Sequence, residues 1–286
     1  MRRALLTLVL LMLCVQAAYA EVFFGEPPAD WAQCELLEWT AFDVKAGDAM
    51  MLRCGGESML VDGGLARYGE RLAQMLAVRG VSGVDRMLFT HMHDDHAAGL
   101  IDLLKSGFPT GELLHGYSDT ALRQDEYGRR VLQIAQAQGL PLRRIGEGDA
   151  LTLGGARIAV YQSEVKRNAN ARSLMLHVTF GDCALLLCAD ISGVVQQDFA
   201  DRLAEGVLRA QVIKMPHHSL TPAVPEFLDA VMPTAAVVTN RSRDVESKAA
   251  HQFEQRAMTA LYCGDGSVTA VTNGTDWYIR QNEDGE

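Results

Sequence analysis

The chain has 286 residues, 48% of them hydrophobic, and its 26 lysines and arginines against 36 aspartates and glutamates leave a net charge of −10. That length and apolar content exclude a disordered chain and fit one large domain or two small ones. The acidic balance excludes a general polyanion binder, because the overall field repels nucleic acid.

Residues 1–20, MRRALLTLVLLMLCVQAAYA, open with Arg2 and Arg3, run through apolar residues from Ala4 to about Val15, and close on Ala18-Tyr19-Ala20. This is the pattern of a secretory signal peptide with an A-x-A-like cleavage site, too short and wrongly flanked for a stable membrane span. Met12 and Leu13 precede Cys14 where small residues would precede a lipidated cysteine. The expectation is a mature chain beginning at Glu21, secreted or periplasmic, with no integral membrane segment and no implied protein partner.

Next, LLEWTAFDV reads as a strand, AMMLRC and SMLVDGG as a hairpin turning at Gly55-Gly56, and RYGERLAQMLAVRG as a helix closed by Gly80. VDRMLFT reads as a buried strand that delivers THMHDDHAAGL. The stretch ALRQDEYGRRVLQIAQAQGL is helical; RIAVYQS, SLMLHVTFGD and ALLLCAD are strands; GVVQQDFADRLAEG is helical. AQVIKMPHHS and TAAVVTN are strands with helical VPEFLDAVM between them, and HQFEQRAMTALY follows as a helix. Interleaving along the whole length, with no repeat or linker, predicts sheets covered by helices and one domain over 21–286.

Five cysteines remain after the signal segment: Cys34, Cys54, Cys183, Cys188 and Cys263. Cys34 with Cys54 is the candidate bridge, and the odd count leaves at least one thiol free or paired between chains. Cys183 and Cys188, five apart on one strand, face opposite sides and should not bond each other. Two local positive patches stand against the acidic background: Lys166, Arg167 and Arg172, and the pair Arg143-Arg144.

The chemistry concentrates in residues 90–100. Where a strand ends in a turn, side chains two apart converge on one ion, so His91 and His93 suit a single metal; Asp95 and His96 point elsewhere and suit a second. Imidazole and carboxylate donors favour zinc, with manganese as the alternative, and the absence of cysteine argues for an open, catalytic site. Asp94 reads as a surface group. ALLLCAD ends in Asp190, where a carboxylate bridging two ions would emerge, and QVIKMPHHS ends in His217-His218. His115, His177 and His251 lack such company and read as structural or surface residues.

The H-x-H-x-D-H stretch, the upstream MLVDGG and the strand ending in Asp190 resemble the metallo-β-lactamase fold superfamily. More narrowly, FDVKAGDAM, VDGG, THMHDDHAAGL, NARSLMLHV, LLLCAD, IKMPHHS and GDGSVTAVTNG, in that order, resemble the metallo-hydrolase domain of ComEC-type competence (DNA-uptake) proteins. The resemblance implies an αββα sandwich of the α/β class with metals at the sheet edge. It also implies two divalent ions and hydrolysis by metal-bound hydroxide. His91 and His93 would hold one ion, Asp95, His96 and one of His217 or His218 the other, and Asp190 would bridge. Asp95, Asp190 and His218 are thereby the catalytic candidates, Asp62 and the spare histidine orient or donate protons, and Asn170, Ser173, Lys166 and Arg167 meet the substrate.

Four departures stand out. Lys45 and Ala46 replace Gly-Gln of the branch's D-V-G-Q-G-D-A. Ser219 and Leu220 follow the paired histidines in place of Gly-Ser. Cys188-Ala189 precede Asp190 where Thr-Gly is common. Asn168, Asn170 and Ser173 occupy the region where most members carry a further metal-binding histidine. The leading expectation is an exported phosphodiesterase or nuclease with a phosphodiester substrate, DNA included. The alternatives are hydrolysis of a lactone, thioester, β-lactam or cell-wall phosphoester, and a metal-poor binding module of this fold.

Overall fold

In chain order the first half folds as β1 (Val22–Phe24), β2 (Leu37–Ala41), β3 (Ala49–Cys54), β4 (Glu57–Gly63), α1 (Gly69–Val78), β5 (Val84–Phe89), α2 (Asp94–Lys105), β6 (Thr110–His115), α3 (Asp119–Gln124) and α4 (Glu126–Gln138). Then come β7 (Leu142–Arg144), β8 (Ala150–Leu153), β9 (Ala156–Tyr161), β10 (Met175–Phe180), β11 (Cys183–Leu187) and α5 (Gly193–Arg202). The last stretch is β12 (Val212–Lys214), α6 (Pro225–Val231), β13 (Ala235–Val238), α7 (Ser247–Gln255), β14 (Thr259–Tyr262), β15 (Val268–Thr272) and β16 (Trp277–Gln281). The computed structural model describes residues 20–165 and 167–282; Lys166 and all but the last residue of the expected signal segment lie outside the described residues.

The strands form a nine-stranded sheet, β1-β16-β15-β2-β3-β4-β5-β6-β7, and a seven-stranded sheet, β14-β13-β12-β11-β10-β9-β8. Trp39, Leu52 and Trp277 from the first meet Leu176, Leu185 and Leu187 from the second in the central core. On the outer face of the first sheet, Met51, Leu60 and Met87 pack against Leu72, Leu100, Leu104 and Val131 of α1, α2 and α4. Leu186, Ile213 and Val238 on the other outer face pack against Val195, Phe199, Phe227 and Phe253 of α5, α6 and α7. The result is the αββα sandwich of the α/β class, and CALLLC shows why its strands carry no polar side: alternate residues enter different apolar layers. Cys183 lies in the central core and Cys188 in the outer one.

Both sheets contain a parallel run, β4-β5-β6-β7 and β11-β12-β13-β14. Parallel strands expose all their carboxyl ends on one edge, the usual place for a site in such sheets. At the opposite margin of the first sheet, β1 pairs parallel with β16. Ala20 is buried there, the Glu21 carbonyl accepts the Trp277 amide at 2.8 Å, and the Glu21 amide donates to Asp276 Oδ1 at 2.9 Å.

Three expectations need correction. The helix over ALRQDEYGRRVLQIAQAQGL is two helices, because Asp125 adopts an extended backbone and caps α4 through Gly128 N–H. HQFEQRAMTALY is helical only to Gln255; Ala257 turns at φ 53° and the remainder becomes β14, paired with β13. Cys34 and Cys54 are not bridged. Glu35, the neighbour of Cys34, lies against Cys54 instead, with Oε1 3.5 Å from Sγ, and all the cysteines among the described residues are free thiols.

Candidate metal centre

Strand β5 ends at Phe89, and the chain crosses from it into α2 through Thr90, His91, Met92 and His93. The crossing is held from two sides. Asp62 accepts from Thr90 N at 2.9 Å and Thr90 Oγ1 at 2.5 Å, and the Tyr117 hydroxyl accepts from Met92 N at 3.0 Å. Asp62 reaches inward because it is the extra residue of a bulge: Ala49 pairs with Gly63 and Met50 with Val61, leaving Asp62 between them at φ 55°.

Around this segment the fold gathers two groups of donor atoms that share one carboxylate: His91, His93 and Asp190; and Asp95, His96, His218 and Asp190. Asp190 Oδ1 lies 3.2 Å from both His96 Nε2 and His218 Nε2. Its Oδ2 faces the other way, 3.9 Å from His91 Nε2 and 3.8 Å from His217 Nε2. His91 Nε2 is 3.1 Å from His93 Nδ1. His218 therefore joins the second group, while His217 sits outside it beside Asn170 Nδ2 at 3.5 Å.

The far ring nitrogens are fixed by residues behind them. His96 Nδ1 is 2.8 Å from Asp62 Oδ2. His218 Nδ1 is 2.9 Å from Thr239 Oγ1 and 3.3 Å from Asp48 Oδ1. Such outer partners set the tautomer and ring angle of a metal-binding histidine. They leave the Nε2 atoms of His96 and His218 and Oδ1 of Asp190 buried and without a hydrogen-bond partner, converging on one point. Unpaired buried polar atoms are costly in isolation, and a divalent cation is the group this donor set fits.

The electrostatics agree. Burial works against a charged His96, yet Asp190, Asp62 and Asp48 raise it to about 10, and His218 is likewise raised, chiefly by Asp190 against its burial. Burial pushes His91 well below its ordinary value, with the charge on His96 adding to the effect. Burial alone would raise Asp95, but His218 and His96 hold it at about 2. Positive charge is thus drawn to the space between the imidazoles and the carboxylates.

Asp48 and Lys214 went unrecognised in the sequence. Lys214 is fully buried; its Nζ lies 2.5 Å from Asp48 Oδ2 and 3.8 Å from Asp190 Oδ1, and donates to Ala189 O at 2.9 Å. The signal was available: a lysine in the otherwise apolar VIKM has no solvent face on a strand buried on both sides. Asn170 Oδ1 and Ser173 Oγ are buried without partners, and Arg167 is exposed. Asp94 is exposed as expected. His115 is buried and its Nδ1 accepts from Tyr117 N at 3.2 Å, His177 Nε2 meets Arg209 O at 2.9 Å, and His251 lies exposed beside Glu254. No helix among the described residues is long and apolar enough to cross a membrane.

Comparison with known proteins follows the same lines. A ribonuclease Z of Methanopyrus kandleri is 29% identical over 115 residues, covering 40% of this chain and 39% of that protein. ComE operon protein 3 of Bacillus subtilis is 23% identical over 268 residues, covering 85% of this chain and 33% of that protein. The chain thus matches well under half the length of either relative. Among solved structures, CmlA, a diiron beta-hydroxylase from Streptomyces venezuelae, superposes with a TM-score of 0.54 at 14% identity over 86% of this chain and 55% of that one, a likeness of fold. Residues 43–238, which carry both donor groups, match the metallo-beta-lactamase superfamily. The chain belongs to that superfamily, and its site is that of a metal-dependent hydrolase.

Proposed function

We propose that the chain is an exported phosphodiesterase or nuclease with two divalent ions, zinc or manganese. The observation that carries the two-ion reading is the sharing of one buried carboxylate: Asp190 turns Oδ1 to His96 and His218 and Oδ2 to His91. A phosphodiester substrate is supported by the kinship with a ribonuclease Z and a ComE protein and by the cationic side chains beside the site. Export is supported by residues 1–20 alone.

In this reading His91 and His93 hold one ion with Asp190, and Asp95, His96 and His218 hold the other. Bound ions of this kind acidify a water towards a pKa of about 7 and polarise the scissile phosphoryl oxygen. The chain's own residues do the rest. Asp62 and Thr239 fix the rings of His96 and His218, and Lys214 keeps Asp48 ionised within the wall. Ser173 Oγ, buried without a partner, is the hydroxyl available to donate to a substrate oxygen, while Asn170 Nδ2 lies against His217. Asp95, ionised and partly exposed, faces the incoming substrate.

The test is a panel on the full chain loaded with zinc or manganese: single- and double-stranded DNA, a bis-aryl phosphodiester, a lactone, a thioester and a β-lactam. Phosphodiesters are expected to turn over fastest. Turnover of a lactone, thioester or β-lactam with none of the phosphodiesters would overturn the substrate assignment. Intact-mass measurement of material from the producing cells, expected to begin at Glu21, tests export.

A further inference from the structure

The two positive patches of the sequence do not stay apart. A cavity of about 100 Å³ is lined by residues that include Gly116, Tyr117, Ser118, Arg144, Gln162 and Arg172, so that one arginine from each patch borders it. Of the other arginines in the two patches, Arg143 is held by both oxygens of Glu112 and Arg167 does not line the cavity; Arg144 is exposed and Arg172 half-buried. Neither Arg144 nor Arg172 has an ion-pair partner among the described residues. The cavity has room for several waters, at about 10–15 Å³ of its volume each, or for one phosphate group.

It is a built pocket. Gln162 Nε2 donates to Gly116 O at 3.1 Å and Arg172 O at 2.8 Å, tying two of its walls together. A Cβ at residue 116 would lie 2.7 Å from Gln162 Nε2 and from Leu174 Cδ2, so a side chain there would displace the glutamine that ties the walls. Burial, with the Arg144 guanidinium next in weight, holds His115 at about 4, so the nearest histidine is neutral. Asp119 and Asp125 lie on the α3 side; Asp125 is occupied by Gly128 N–H.

The pocket also abuts the metal centre. Its Tyr117 wall ends in the hydroxyl that holds Met92 N, between His91 and His93. Arg172 precedes Ser173, whose hydroxyl is buried without a partner, and Leu174 N bonds Thr90 O at 3.1 Å. We propose that this pocket binds a second phosphate of the substrate, adjacent along the chain to the one that is cleaved, and so makes the enzyme prefer oligonucleotides to diesters with a single phosphate. This rests on the phosphodiesterase reading above. Two guanidinium groups that line one cavity without an ion-pair partner among the described residues match phosphate oxygens, and their local field works against the net charge of −10.

The experiment compares wild type, R144S/R172S, R144K/R172K and the neighbouring R143S on a short oligonucleotide and on a bis-aryl phosphodiester. For R144S/R172S the KM for the oligonucleotide should rise at least about tenfold, the effect of one lost charge-assisted bond. The KM for the single-phosphate diester, the metal content and the R143S values should stay unchanged. The lysine variant should recover part of the loss. Equal effects on both substrates, or none on either, overturn the pocket. A second readout needs no turnover: inorganic phosphate binding to the full chain by calorimetry should weaken in R144S/R172S, and unchanged affinity also overturns the proposal. If wild type cleaves no phosphodiester, the functional reading fails while the calorimetric comparison still decides whether the pocket binds phosphate.

Discussion

At the scale of single residues, strain and charge both collect at the site. His217, His218 and Ser219 take left-handed backbone in succession, at φ 47°, 52° and 54°, and Lys45 does so at 62°. Lys45 and Ser219 stand where the resembled pattern has glycine, and both hold a left-handed backbone that strains any residue with a side chain. Ser219 also buries a hydroxyl with no partner. S219G removes both penalties at the cost of a looser unfolded chain, and should stabilise by about 1 kcal/mol, which urea denaturation would resolve; a destabilised variant would mean the hydroxyl has a partner in solution. Asp190 is the opposite case. An amide cannot offset two cations, so D190N should lose metal and activity while its circular dichroism matches wild type. Full metal content with retained turnover would remove Asp190 from the bridging role.

At the scale of elements, the depth at which α2 seats on β4 is set by glycine. A Cβ on Gly99 would lie 1.9 Å from Gly63 O, and one on Gly63 would lie 2.4 Å from Leu100 N. No side chain fits at either position, so helix and strand touch backbone to backbone, and His96 is brought onto Asp62. G99A must lift the helix; overpacking of this kind costs typically about 1–3 kcal/mol. Because the shift separates His96 from its orienting carboxylate, metal affinity should fall by about 10–100-fold, measured by competition with a chromogenic chelator. Affinity unchanged in a folded G99A would show that this seating does not govern the site.

The same elements show what was legible in the sequence. The strand ends were, because VDRMLFT and ALLLCAD are apolar runs that stop abruptly at chemistry-bearing residues. The hairpin at Gly55-Gly56 was, because paired glycines between apolar runs have few other uses. Helix α2 was not anticipated, since the motif residues that begin it, Asp94, Asp95 and His96, draw attention as donors rather than as a first helical turn favourable to acids. Asp48 and Lys214 were missed because their pairing joins β12 of one sheet to the loop before β3 of the other, a contact no local pattern encodes. The Cys34–Cys54 expectation failed for a similar reason: proximity in the fold came to Glu35 rather than to the cysteine beside it.

At the scale of the molecule, the donor atoms come from both layers. His91, His93, Asp95 and His96 ride on the first sheet and its helix, while Asp190 and His218 ride on the second. An ion held between them joins the two halves of the sandwich, and binding to the folded state alone adds about 2.7 kcal/mol at a hundredfold excess over Kd. Chelation should therefore lower the thermal midpoint, and zinc or manganese should restore it. A midpoint indifferent to chelator, in protein shown to be metal-free afterwards, would mean that the ions bind without bracing the sheets.

The margin farthest along the first sheet has its own consequence. Glu21 is already docked, its carbonyl on Trp277 and its amide on Asp276 Oδ1. If the chain is cut after Ala20, that amide becomes an ammonium group while its acceptor stays in place. A hydrogen bond from a neutral amide to a carboxylate is thereby exchanged for an ion pair at the surface, a gain of up to about 1 kcal/mol. Maturation would then hold the new terminus to the start of β16 instead of leaving a frayed one, and the processed form would weaken more than the unprocessed one when Asp276 is replaced by asparagine.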